Sequence, residues 1–176
     1  MNFKAMNLFL SEDNIKEHLE HLRQLRLKYS ILSKSLPEIK DKDIGDLLKL
    51  GINRKVREEV IELLWQIKSH ELFFNSFSLN PRWSEEIRKY NTSHERFLYD
   101  IMMEAKDKSY GFLYVLNDKQ KKLLIKCTEG FDGAFAKYEP ILCIDLYEHT
   151  YFLDYRFKKE KFLRNALAYF DIGRLE

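Results

Sequence analysis

Between residues 54 and 77 the apolar side chains Val56, Val60, Leu63, Ile67, Phe74 and Phe77 recur in steps of three, four and seven. That spacing places them on one face of a long helix, and a stripe of that length needs a partner surface to cover it. The partner is upstream. Ser11 and Asp13 are N-cap candidates ahead of a helical pattern that runs to about Ser35, where Pro37 stops it. A short helix is expected over residues 41–50, closed by Gly51, with Asn53 capping the next one. After the Asn80-Pro81 loop a further helical stretch is expected at about 84–106. The period then changes. Residues 110–116 and 123–128 are β-branched, aromatic or apolar and flank the polar turn Asn117-Asp118-Lys119-Gln120, the pattern of a hairpin. A third strand at 141–146 follows Pro140, and a helix over about 156–170 ends the pattern. Helices first and a three-stranded antiparallel sheet afterwards is an α+β layout. We divide it into an N-terminal helical hairpin domain, residues 1–80, and a C-terminal α/β domain, 81–176.

Composition narrows the function classes. The 176 residues are 45% hydrophobic and 33% charged, as in a folded globular chain. Thirty basic residues stand against 28 acidic ones, so electrostatics gives no reason to expect nucleic-acid or membrane binding. No apolar run reaches the ~18 residues of a membrane span. Residues 1–10 lack the apolar core and cleavage site of a signal peptide. Cys127 and Cys143 have no metal-type spacing and read as buried reduced thiols, in keeping with a cytoplasmic location.

The chemistry concentrates in histidine. Of five, His94 sits in a polar stretch and reads as a solvated surface residue. His70 fills the gap in the apolar stripe between Ile67 and Phe74, so it is expected to be buried and to need a partner: a backbone carbonyl, a carboxylate or a metal ion. His18 flanks the buried side of the first long helix, marked by Ile15, Leu19, Leu22 and Leu25, and His21 can share that face. Asp145 leaves the apolar strand at the buried layer, and a buried carboxylate needs a cation or several donors. His149, four residues later, converges with it if the chain turns at once. Imidazole and carboxylate suit a first-row transition metal. The chain has no Glu-x-x-His, His-Glu-x-x-His or Cys-x-x-Cys, which argues against di-iron bundles and the common zinc sites.

The segment Asp145-Leu146-Tyr147-Glu148-His149-Thr150-Tyr151-Phe152-Leu153-Asp154-Tyr155 resembles the Asp-x-Trp-Glu-His-Ala-Tyr-Tyr-x-Asp-Tyr signature of iron/manganese superoxide dismutases. Gln66-Ile67-Lys68-Ser69-His70-Glu71-Leu72-Phe73-Phe74 is similar to the Gln-x-x-Asn-His-x-x-Tyr-Trp of iron-type members. The run from Leu10 to His18 is similar to the family's Ile-Ser-x-x-Thr-x-x-x-His, and Ser109-Tyr110-Gly111-Phe112 weakly echoes its Gly-Ser-Gly-Trp. The resemblance implies that His18, His70, Asp145 and His149 bind one metal ion per chain, with a solvent molecule as fifth ligand. It implies iron as first choice and manganese otherwise, because Gln66 stands in the iron-type position, where such a glutamine bonds the solvent and tunes the potential. It further implies a homodimer in which Glu148 reaches the partner's ligand histidine, and superoxide as the substrate, disproportionated to dioxygen and hydrogen peroxide.

Several positions depart from the family pattern. Counted from His18, the family's histidine pair and gateway tyrosine fall on Leu22, Arg23 and Arg26. Arg26 can draw in an anion but cannot relay a proton as a phenol does. The interface tyrosine is Phe152, and the two tryptophans are Tyr147 and Phe112. If His21 were the ligand instead of His18, Tyr29 would restore the gateway; the ungapped run from Leu10 favours His18. The altered surroundings keep two alternatives in view: a metal-binding protein with a structural or interaction role, and a different redox activity on small oxygen species.

Overall fold

The computed structural model describes residues 2–82, 93–118, 123–132 and 138–171. It is an α+β fold. A short helix α1 (Phe3–Met6) leads into α2 (Glu12–Ser35), and the Ser11 hydroxyl caps α2 by accepting the Asn14 N–H at 3.2 Å. Pro37 opens a 3₁₀ turn, Pro37–Ile39, that ends the helical run. The next helix, α3, is shorter than expected, Ile44–Lys49. Asp41 takes a positive φ of 56°, and the chain becomes helical only after Asp43 caps the new turn by accepting the Asp46 N–H at 2.8 Å. The long amphipathic helix α4 (Arg54–Asn75) starts where Asn53 accepts the Lys55 N–H at 2.9 Å.

Helix α5 (His94–Lys106) begins behind its own cap, Ser93. The expected part of this helix at 84–92 lies outside the described residues, as do the His94 side chain and the hairpin turn residues 119–120. Strands β1 (Phe112–Asn117), β2 (Leu123–Thr128) and β3 (Glu139–Asp145) form an antiparallel sheet in the order β2-β1-β3. Cys127 pairs with Leu113 and Cys143 with Tyr114, successive residues of β1, so the two buried thiols lie on opposite faces of the sheet. Two helices follow β3, the first of them not expected from the sequence. Helix α6 (Glu148–Tyr155) stops at Arg156, which adopts φ 54°, and α7 (Lys159–Leu167) follows. The single helix expected over 156–170 is therefore α7 alone, because the left-handed Arg156 breaks the chain's course.

One apolar cluster runs through α1, α2, α4, α5, all three strands, α6 and α7, and a smaller one of Ile39, Leu47, Val60, Ile61 and Leu64 fills the angle between α3 and α4. Three polar ties set the site elements against each other. The Cys143 N–H on the edge of β3 donates to the Ser76 hydroxyl at 2.9 Å, locking β3 along the end of α4. The Asp154 carboxylate on α6 accepts the Ser11 N–H at 2.9 Å and the Asn14 side-chain amide at 3.0 Å, locking α6 to the start of α2. The Ser69 and Tyr114 hydroxyls are bonded to each other inside the core, tying α4 to β1. Among the described residues no helix is long and apolar enough to cross a membrane.

Gly111 starts the sheet with φ 120°, and a Cβ there would lie 2.4 Å from the Thr128 carbonyl oxygen. Both the backbone conformation and the contact exclude a side chain. Gly111→Ala is expected to cost about 2–4 kcal/mol, read as a fall in urea midpoint at unchanged m-value. An unchanged midpoint would show that the sheet opens differently.

Candidate metal centre

Four elements deliver one side chain each to a single point. His18 comes from the middle of the second turn of α2, His70 from the C-terminal half of α4, Asp145 from the last position of β3, and His149 from the first turn of α6. One ligand atom from each lies within 4.8 Å of all the others. Asp145 Oδ2 stands 3.2 Å from His18 Nε2, 3.3 Å from His70 Nε2 and 3.2 Å from His149 Nε2. Atoms about 2.1 Å from a shared ion are separated by roughly 3–4 Å, so the spacing suits a common metal.

His70 Nδ1 donates to the Gln66 backbone carbonyl at 2.7 Å. A neutral imidazole has one proton to give, so His70 Nε2 presents a bare lone pair to Asp145 Oδ2. Neither atom has a hydrogen-bond partner, and the same holds for both nitrogens of His18. Burial pushes the His70 imidazole down to about 4, against the pull of Asp145, and lowers His18 as well, so both are neutral. Burial alone would raise the Asp145 carboxyl; the His149 and His18 nitrogens beside it outweigh that and hold it well below the usual carboxylate range. Facing acceptors and a wholly buried anion call for a cation between them. The residues fit a metal ion held by three imidazoles and one carboxylate.

Aromatic rings wall the group. Phe73 and Phe74 pack on His18, with ring centroids 5.0 and 4.8 Å away, and Phe112 meets His70 edge-on at 5.1 Å. Tyr147 stacks parallel to His149 at 5.7 Å, its phenol donates to the Glu129 carbonyl, and burial raises that phenol to about 12. Asp145 Oδ1 accepts the Tyr147 N–H at 2.9 Å, which fixes the carboxylate plane.

The remaining residues singled out in the sequence lie around this group. Gln66 sits one turn before His70 and is half-buried; its side-chain amide donates to Glu62 at 3.1 Å, and Glu62 also accepts the Phe131 N–H at 2.9 Å. Arg26 and Glu71 form an exposed ion pair at 2.7 Å across α2 and α4, so the cation offered to an incoming anion already has a carboxylate partner. Glu148 is exposed. Tyr29, which the alternative register would bring to the centre, donates instead to the Ile39 carbonyl at 2.9 Å. His18, and not His21, joins the group of four, while the His21 ring packs against His70 and His149. Glu62 escaped the sequence reading, although its spacing of four from Gln66, itself four before His70, was a signal for a polar seam along α4.

The model of the iron/manganese superoxide dismutase C-terminal domain matches residues 80–174, more than half of the chain. The chain belongs to the iron/manganese superoxide dismutase family. Two relatives, the Mn/Fe superoxide dismutases of Rickettsia typhi and Rickettsia prowazekii, are 25% and 24% identical to it over 157 residues. The matched region spans 84% of this chain and 72% of each relative. Family membership agrees with the order of elements and with a centre built from two N-terminal helices, the last strand and the helix after it.

Proposed function

We propose that the protein is a superoxide dismutase, disproportionating superoxide to dioxygen and hydrogen peroxide at one iron or manganese ion. The observation that carries this reading is the convergence of three histidine nitrogens on one fully buried carboxylate oxygen, in a chain of this family. A bound iron or manganese ion would supply the one-electron couple through which one superoxide is oxidised and a second, with two protons, is reduced. His18, His70, Asp145 and His149 would hold it. One negative charge in that set leaves a di- or trivalent ion net positive, which favours an anionic substrate. The Phe73, Phe74 and Phe112 rings exclude water from three of the four residues and keep the local dielectric low. Gln66 would act on the centre from α4, and its place there supports iron as first choice. We assign Glu148 to a homodimer contact with the partner's histidine, on the strength of its motif.

A second reading, a metal-holding protein with little dismutation, draws on the Arg26–Glu71 pair and on the absence of a phenol at the position of Arg26. Purified protein assayed for iron, manganese and superoxide disproportionation separates the two, with His70→Ala as control. The first reading expects loss of at least about 100-fold in rate per chain in the variant, the scale set by losing even an outer partner of a metal site. Metal-loaded wild type no faster than His70→Ala would leave the second.

A further inference from the structure

His70 and Asp145 are each steadied by a bond outside the group of four, and both bonds lead back to one side chain. His70 Nδ1 donates to the Gln66 carbonyl at 2.7 Å, and the Gln66 side-chain amide donates to Glu62 Oε1 at 3.1 Å, one turn earlier on α4. On the other side the Tyr147 N–H holds Asp145 Oδ1 at 2.9 Å, and the Tyr147 phenol donates to the Glu129 carbonyl at 3.2 Å. Two residues on, the Phe131 N–H donates to Glu62 Oε2 at 2.9 Å. A Cβ on Gly130 would lie 3.4 Å from that same oxygen, so residues 129–131 lie directly against the carboxylate. Glu62 thus closes a chain of hydrogen bonds that runs from one member of the group to another. Both its oxygens are taken by neutral N–H groups, and among the described residues no cation pairs with it. The side chain is half-buried, where a charge without a counter-ion acts on its neighbours more strongly than in open water. We infer that Glu62 is a positioning residue of the centre: it holds the Gln66 amide and residues 129–131 in place, and its negative charge favours the higher oxidation state of a bound ion. The inference rests on the metal-centre reading above and concerns a residue outside the four-residue group.

The test is a redox titration of the iron-loaded full chain, followed by visible absorption, on wild type, Glu62→Gln and Glu62→Asp. Iron content is measured first and is expected to be equal in all three. Glu62→Gln keeps the shape of the side chain and loses its charge. Its ferrous-to-ferric ratio at a given potential is expected to rise about tenfold, a midpoint ~59 mV higher for one electron. Glu62→Asp keeps the charge and should stay within about threefold of wild type in that ratio. A purely structural role would move the shorter aspartate at least as far as the glutamine. A rise of less than about threefold in Glu62→Gln, or a fall, overturns the inference. So does an equal shift in the two variants, or loss of iron from Glu62→Gln. Dismutation by wild type is measured separately against His70→Ala. A wild type that dismutates while Glu62→Gln keeps the wild-type potential sinks this inference alone. A wild type that loads iron and shows the Glu62 shift but does not dismutate sinks the proposed activity and leaves the role of Glu62 standing. A wild type that takes up no iron removes both.

Discussion

Asp145→Asn protein produced in metal-replete medium is expected to carry less than about a tenth of the wild-type iron plus manganese, the loss in affinity being at least about 100-fold. Its metal-free form is also expected to unfold at a lower temperature than the metal-free wild type. The Asp145 carboxylate is wholly buried, yet the His149 and His18 nitrogens, 3.2 Å from one of its oxygens, outweigh burial and keep it ionised. The folded chain thus favours the charged carboxylate more than the unfolded chain does, and a neutral side chain forfeits that preference. Asparagine has the same shape but no charge to offer those nitrogens. A loss of about 1–3 kcal/mol follows. For a chain of this length that is roughly 2–10 °C in midpoint. Metal analysis and thermal unfolding of chelator-treated samples measure both. A metal-free variant that melts above the metal-free wild type would mean that the cost of burying the charge exceeds its attraction to the imidazoles.

Acid should weaken the metal-free protein well before the ordinary carboxylates titrate. The folded His70 imidazole lies at about 4, below its usual value of 6.5. Between those two values the unfolded chain binds a proton that the folded chain refuses, so stability rises with pH across this window. The contribution is complete above pH 6.5, falls as the pH drops towards 4, and changes no further below it. The difference of 2.5 units corresponds to roughly 3 kcal/mol. His18 is lowered in the same sense by burial. The depressed Asp145 acts lower down, its stabilisation fading as pH falls below the ordinary carboxylate value. Urea midpoints of metal-free wild type and His70→Gln from pH 7 to 4 isolate the histidine share, and the variant should show a shallower decline. Parallel curves for the two proteins would refute the assignment. Metal should be released over the same range, since each imidazole must be deprotonated to bind.

Much of this arrangement could be read from residues alone. The stripe from Val56 to Phe77 announced α4, and Ser11 and Asn53 cap α2 and α4 by the side-chain bonds their types suggest. Periodicity also put His70 inside, but it left open whether a carbonyl or a metal waited there; the structure gives it a carbonyl on one nitrogen and the shared carboxylate on the other. The features that stayed hidden depend on conformations or rotations that no residue type dictates. Arg156 and Asp41 take positive φ without being glycine, so the break between α6 and α7 and the late start of α3 left no mark. The pairing of Arg26 with Glu71 depends on how α2 is turned against α4, and the bond from the Asn14 amide to Asp154 links residues 140 apart in sequence.

The hydrogen bond from the Tyr147 amide to Asp145 Oδ1 carries a consequence for coordination number. With that oxygen engaged on the backbone, the carboxylate would offer a metal ion one oxygen, Oδ2. Among the described residues the group of four would then give one donor atom each, which leaves room on a transition ion for a small exchangeable guest.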